Sequence, residues 1–162
     1  MKLLSRDDHH CQLSFTTQEK DLLLALLPQY PKLPADYHQT RQASDTDDEA
    51  KKLLEDALAD HRQKTRAATQ SFLEDKASFQ PAGENWTLTL THSETEWLLQ
   101  VLNDLRVGSW IALGSPTQDE EGSYLDLENI TPENLNDLWT MEICGALQHE
   151  LLCELHGENP NE

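Results

Sequence analysis

Two stretches of this chain are nearly the same. "LSFTTQEKDLLL" runs from Leu13 to Leu24 and "LTLTHSETEWLL" from Leu88 to Leu99. Over fifteen aligned positions they share six identities, among them Thr16 with Thr91, Glu19 with Glu94 and Leu23 with Leu98. Before each Thr, apolar and polar residues alternate, which is the period of a strand. Three residues after each Thr stands a Glu. That is the capping box, in which the hydroxyl accepts from the third helical amide and the carboxylate reaches back to the cap amide. Each copy must therefore begin as a strand, turn at a cap and continue as an amphipathic helix. A lone short strand leaves its backbone groups unpaired, so the copies are expected to pair as a two-stranded ribbon. Duplication and convergence account for the likeness equally well, because capping boxes before Leu-rich helices recur independently.

Four principal helices follow from these and similar signals. The first spans residues 17–29 and ends near Pro28, after which "PQYPKLP" reads as a stiff extended connector. The second, at 47–77, starts at a third box formed by Thr46 and Glu49; at ~1.5 Å per residue it would be roughly 45 Å long. The third, at 92–113, stops at Gly114, a C′ glycine. The fourth, at 132–156, starts with Thr131 as cap and Pro132 at the first helical position. The acidic, turn-rich stretch 115–131 is expected to be an exposed loop, and residues 1–10 and 157–162 to be flexible termini. The expected architecture is thus a single domain, 1–162, mainly α, with one long helix and a small two-stranded β ribbon.

The net charge is −18, and it is unevenly spread. Residues 1–76 hold eleven of the twelve Lys and Arg against fourteen acids, whereas residues 77–162 hold Arg106 against sixteen acids. Such a surface repels phosphates, so nucleic acid and anionic membrane are not expected partners; it reads first as a solvated surface that favours solubility and second as a surface for a basic protein partner. Three Cys in a chain of 162 residues argue against a disulfide framework, and no apolar run has the length of a signal peptide or a membrane span. The expected location is the cytoplasm.

Chemistry-bearing motifs are few. "HELLCELH" places His149, Cys153 and His156 at i, i+4 and i+7 on one helix face, with Glu142 one heptad earlier, and imidazole with thiolate suits zinc. Leu135, Leu138 and Ala146 lie near that face too, which favours a core or dimer seam. "DDHHC" at Asp7 to Cys11 also contains ligand-type residues, but adjacent residues rarely converge on one ion. There is no nucleophile elbow and no Gly-rich phosphate loop, so no catalytic residue and no cofactor are assigned.

The most specific stretch is "WLLQVLNDLRVGSWIALG", Trp97 to Gly114. It is Leu-rich, yet Asn103, Asp104 and Arg106 sit inside it, and Arg106 is the only cation after Lys76. An Arg in this setting is expected to pair with carboxylates. Gly108 costs a helix about 1 kcal/mol against Ala, which argues for close packing or a kink there. With Trp97 and Leu98, the run Asn103-Asp104-Leu105-Arg106 resembles the domain-of-unknown-function family numbered two thousand and seventeen. Phe15, Glu19 and Leu23 are similar to that family's start, and Trp139 with Leu147–Gln148 to its last helix. "VGSWIALG" departs from the family pattern in having no second Arg. The resemblance implies a compact, mainly helical bacterial protein and no catalytic residue.

The expected function is accordingly a non-enzymatic regulatory or protein-interaction module that binds another protein or forms a homodimer. Trp97, Asn103, Asp104, Arg106, Trp110 and Trp139 are its candidate interaction or structural residues. The competing reading is a metal-binding protein or metal-dependent enzyme using His149, Cys153 and His156.

Overall fold

A computed structural model describes residues 1–33, 37, 48–75, 78–117 and 130–156. The chain runs β1 (Lys2–Arg6), β2 (His10–Phe15), α1 (Thr17–Leu26) with a 3-10 turn at Leu27–Gln29, α2 (Asp48–Glu74), β3 (Phe79–Ala82), β4 (Asn85–Thr91), α3 (His92–Ala112) and α4 (Leu135–His156). The strands form one antiparallel sheet in the order β1-β2-β4-β3.

This corrects the expectation of a mainly α domain with a two-stranded ribbon: the fold is mixed α/β with a four-stranded sheet. The expected ribbon is the central pair, β2 with β4. Two edge strands escaped the sequence because neither carries a clean alternation. β1 lies in residues 1–10, expected to be a flexible terminus, and its register slips between Leu3 and Ser5. β3 is four residues long and contains Pro81, which an edge strand tolerates because one side of its backbone needs no ladder partner. Gly83, at a φ of 67°, makes the tight turn from β3 to β4. In the β1–β2 turn, the Asp7 carboxylate accepts from the His9 amide at 2.8 Å and the His10 amide at 2.7 Å. Those two hydrogen bonds hold the Asp7 carboxyl below its ordinary value and give "DDHHC" its role as a turn.

The central register is symmetric. Leu13 pairs with Leu88, its own counterpart in the repeat, and the partners step outward as Cys11 with Leu90 and Phe15 with Trp86. Each copy is a hairpin followed by a capped helix, so the sheet has a local two-fold relation through the Leu13–Leu88 pair. Both capping boxes form with matching geometry. The Thr16 and Thr91 amides each donate to their Glu at 2.7 Å, and the Glu19 and Glu94 amides each donate to the Thr hydroxyl at 3.2 Å. Replacing either Thr with Ala should cost about 1 kcal/mol. The caps lie at opposite ends of the central ladder, so the double variant should lose the sum, read by urea unfolding. The third box falls on Thr46, which lies outside the described residues. Helix α4 starts at Leu135 rather than Pro132, because the Asn134 carbonyl accepts the first helical bond, from Leu138 at 3.3 Å. The Asn134 side chain reaches back to accept from the Thr131 amide at 2.7 Å, so Thr131 opens the turn that leads into the helix.

One face of the sheet is buried. Cys11, Leu13, Phe15, Phe79, Leu88 and Leu90 meet Leu23, Leu26 and Leu27 of the first helical unit, Trp97, Leu98, Val101, Leu102 and Leu105 of α3, and Cys144, Leu147 and Leu151 of α4. The other face shows polar residues such as Gln12, Ser14, Thr87 and Thr89. Helix α3 is the centre of the core. Its Ser109 hydroxyl is fully buried with no hydrogen-bond partner among the described residues. Ser109→Ala should therefore raise stability by about 1 kcal/mol, since it removes an unmet desolvation cost. Unchanged or lower stability in chemical denaturation would contradict that burial. No described helix is long and apolar enough to cross a membrane.

Candidate functional site

Among the described residues, helix α2 is packed along only part of its length. Near its C-terminal end Thr65 and Thr69 are buried, and Phe72 lies 5.1 Å from the Trp97 ring and 6.2 Å from Phe79. The Trp97 indole donates to the Thr69 hydroxyl at 3.2 Å. Near its N-terminal end Leu53, Leu54 and Leu58 are 66%, 41% and 36% exposed. Between the packed and unpacked parts lies a cleft of about 570 Å³, walled by α2 and α3 and by the connector at Tyr30, Pro31 and Leu33.

The connector is held by groups from three helices. Asp104, 8% exposed, accepts on one carboxylate oxygen from the Lys32 amide at 2.7 Å and the Leu33 amide at 3.2 Å. One helical turn on, Gly108 lets that backbone lie against α3: a Cβ there would stand 2.7 Å from the Lys32 carbonyl carbon and 2.9 Å from the Leu33 nitrogen. From α2, Arg62 donates to the Leu33 carbonyl at 3.0 Å. From α4, Asp137 pairs with the Lys32 ammonium at 2.6 Å, and the Thr140 hydroxyl bonds Gln29 at 3.3 Å. The Tyr30–Pro31 peptide is cis. Asp104, a charge inside the Leu-rich run of α3, thus holds a backbone in place.

The polar lining of the cleft is uneven in sign. Arg62, Arg66 and His61 come from α2, Gln100, Asn103 and Asp104 from α3. His61 bonds Gln100 at 3.0 Å. Burial pushes the Tyr30 phenol up from its ordinary value, and the Asp104 charge adds to this, against a hydrogen bond with Thr65 and the charge of Arg62. The arrangement is a cleft with an apolar rim, a preset backbone wall and two guanidinium groups.

The other sequence candidates are scattered. Trp97 is in the core, and Asn103 accepts from Arg106 at 3.2 Å. Arg106 also lines a second cavity of about 660 Å³ between α3 and α4 with Trp110, whose indole donates to the Pro116 carbonyl at 3.0 Å. Trp139 is 59% exposed on α4. Cys153 is buried, with its sulfur 3.6 Å from His149 Nε2, while the side chain of His156 lies outside the described residues. Among the described residues no group of three or more His, Cys, Asp or Glu is placed to hold a metal ion. Sequence reasoning passed over Arg62, Arg66 and Tyr30. "DHRQKTR" reads as polar all round, and the available signal was the i, i+4 spacing of its two arginines.

The fold and site define an α/β protein with a cleft beside a helix face that the described residues leave exposed. Searches of protein-family models, curated proteins and solved structures find no match for the chain.

Proposed function

We propose that this chain is a non-enzymatic protein-interaction module whose docking surface is the unpacked part of α2 together with the α2–α3 cleft. The observation that carries the reading is the exposure of Leu53, Leu54 and Leu58 near the start of α2, the last of which lines that cleft. A run of uncovered leucines on one helix, next to a concavity with polar groups, is the usual form of a binding surface rather than of a solvent face. The rigid side of the cleft supports it further: a wall fixed by Asp104, Gly108 and Arg62 needs little ordering when a partner arrives, which lowers the cost of association. Trp139 and Leu135, one turn apart on α4, offer a second exposed apolar pair.

The test compares retention of proteins from source lysate on the immobilised chain. Leu54→Asp combined with Leu58→Asp should abolish retention of a discrete partner. Thr89→Asp, on the open sheet face, should leave it intact. Equal retention by both variants would overturn the assignment of this surface. Light scattering of the purified chain adds the case in which the partner is a second copy.

A further inference from the structure

The geometry points to the α2–α3 cleft as the site of a primary carboxamide, an Asn or Gln side chain carried on an apolar segment of the partner. The inference rests on the docking reading above and names the group that enters the cleft. Asp104 is 8% exposed and lines the cleft. One of its oxygens accepts from both connector amides, and among the described residues the other has no hydrogen-bond partner. A carboxylate buried to that degree is costly to leave half met, so the free oxygen calls for a donor. Two amide groups stand beside it. Asn103 uses its oxygen to accept from Arg106, and Gln100 uses its own toward His61 at 3.0 Å. Each NH2 group is thus left without an acceptor among the described residues. Gln100, Asn103 and Asp104 stand at i, i+3 and i+4, on one face of α3. That face offers an acceptor and donors side by side, the complement of a carboxamide, whose N–H would donate to Asp104 while its carbonyl accepts from Asn103 or Gln100. A trans peptide points its N–H and C=O to opposite sides, so a primary amide fits adjacent partners and a backbone amide does not. Leu58, Pro31 and Leu33 wall the cleft for the aliphatic stem, and about 570 Å³ accommodates one such side chain with its flanks.

Charge disfavours a ligand of either sign. A carboxylate would meet Asp104, and Arg62 is already engaged by the Leu33 carbonyl and by a further interaction. An ammonium would meet the positive charge of Arg62 and Arg66, which line the same cleft. A neutral group with both a donor and an acceptor meets neither penalty. The net charge of −18 still draws a basic partner, because that attraction acts over the exposed surface and the cleft reads only the group that enters it.

The probes are 4-phenylbutyramide and its N,N-dimethyl derivative, which keeps the carbonyl and lacks the N–H, titrated into the full chain and followed by amide chemical shifts. The primary amide should perturb Leu58, Gln100 and Asn103 and bind at least about tenfold more tightly, since it alone satisfies the buried oxygen. Asp104→Asn separates this effect from the fold: its oxygen still serves the connector, while an NH2 group replaces the free oxygen. In that variant the two probes should bind within about twofold of each other. Lys64→Gln should leave the discrimination intact, because Lys64 is already paired with Asp60 at 2.7 Å and does not line the cleft. The N-methyl amide, a mimic of the peptide bond, should bind like the dimethyl one. Equal binding of the primary and dimethyl amides, tighter binding of the N-methyl amide, of 4-phenylbutyrate or of 4-phenylbutylamine, perturbation elsewhere, or no perturbation by the primary amide would overturn the inference. Retention reads docking and the amide comparison reads the group in the cleft, so either can fail alone.

Discussion

Replacing Asp104 with alanine is expected to cost the fold about 2–4 kcal/mol, because it leaves the Lys32 and Leu33 amides without an acceptor beside a packed helix. Asp104→Asn is the informative partner. Both amides bond the same carboxylate oxygen, and Asn keeps an acceptor at that position. The Asn variant should therefore lose only the charge assistance, less than about 1.5 kcal/mol. Urea unfolding of the two variants at one pH measures the gap. If Asn and Ala lose equally, hydrogen bonding to the connector is not what Asp104 supplies.

Gly108→Ala should also destabilise, by about 1–3 kcal/mol, although alanine is the better helix former by about 1 kcal/mol. The added Cβ would meet backbone at under 3.0 Å, and backbone clamped by Asp104 and Arg62 has no room to give. A stabilised variant would show that the connector does not lie where we place it. Gly108→Ala and Asp104→Ala unseat the same two residues, so their double variant should lose less than the sum. Each should also weaken the cleft, whose wall is that connector.

Local rules made much of the fold legible. A capping box is written in four consecutive residues, and both complete boxes form at the positions the sequence gives. Gly114, at a φ of 83°, ends α3 as a C′ glycine should. The pairing of β2 with β4 was accessible because the repeated strands alternate and each needs a partner for its backbone groups. β1 and β3 were not, since an edge strand is defined by the neighbour it leans on more than by its own pattern. The cleft was less accessible still. Tyr30, Arg62 and Asn103 stand on three segments far apart in sequence, and only tertiary packing brings them to one cavity. Asp104 and Gly108 stood out as anomalies in a Leu-rich helix. Both anomalies have one cause, the backbone of Lys32 and Leu33, which no reading of α3 alone could supply.

The part of α2 that the described residues leave exposed is the centre of the functional account, and a photo-crosslinking residue placed at Leu58 tests it most directly. In source cells expressing the full chain, irradiation should give a discrete adduct with a partner, and the same residue at Thr89 on the open sheet face should give none. No adduct at Leu58, or the same adduct at both positions, would contradict the account.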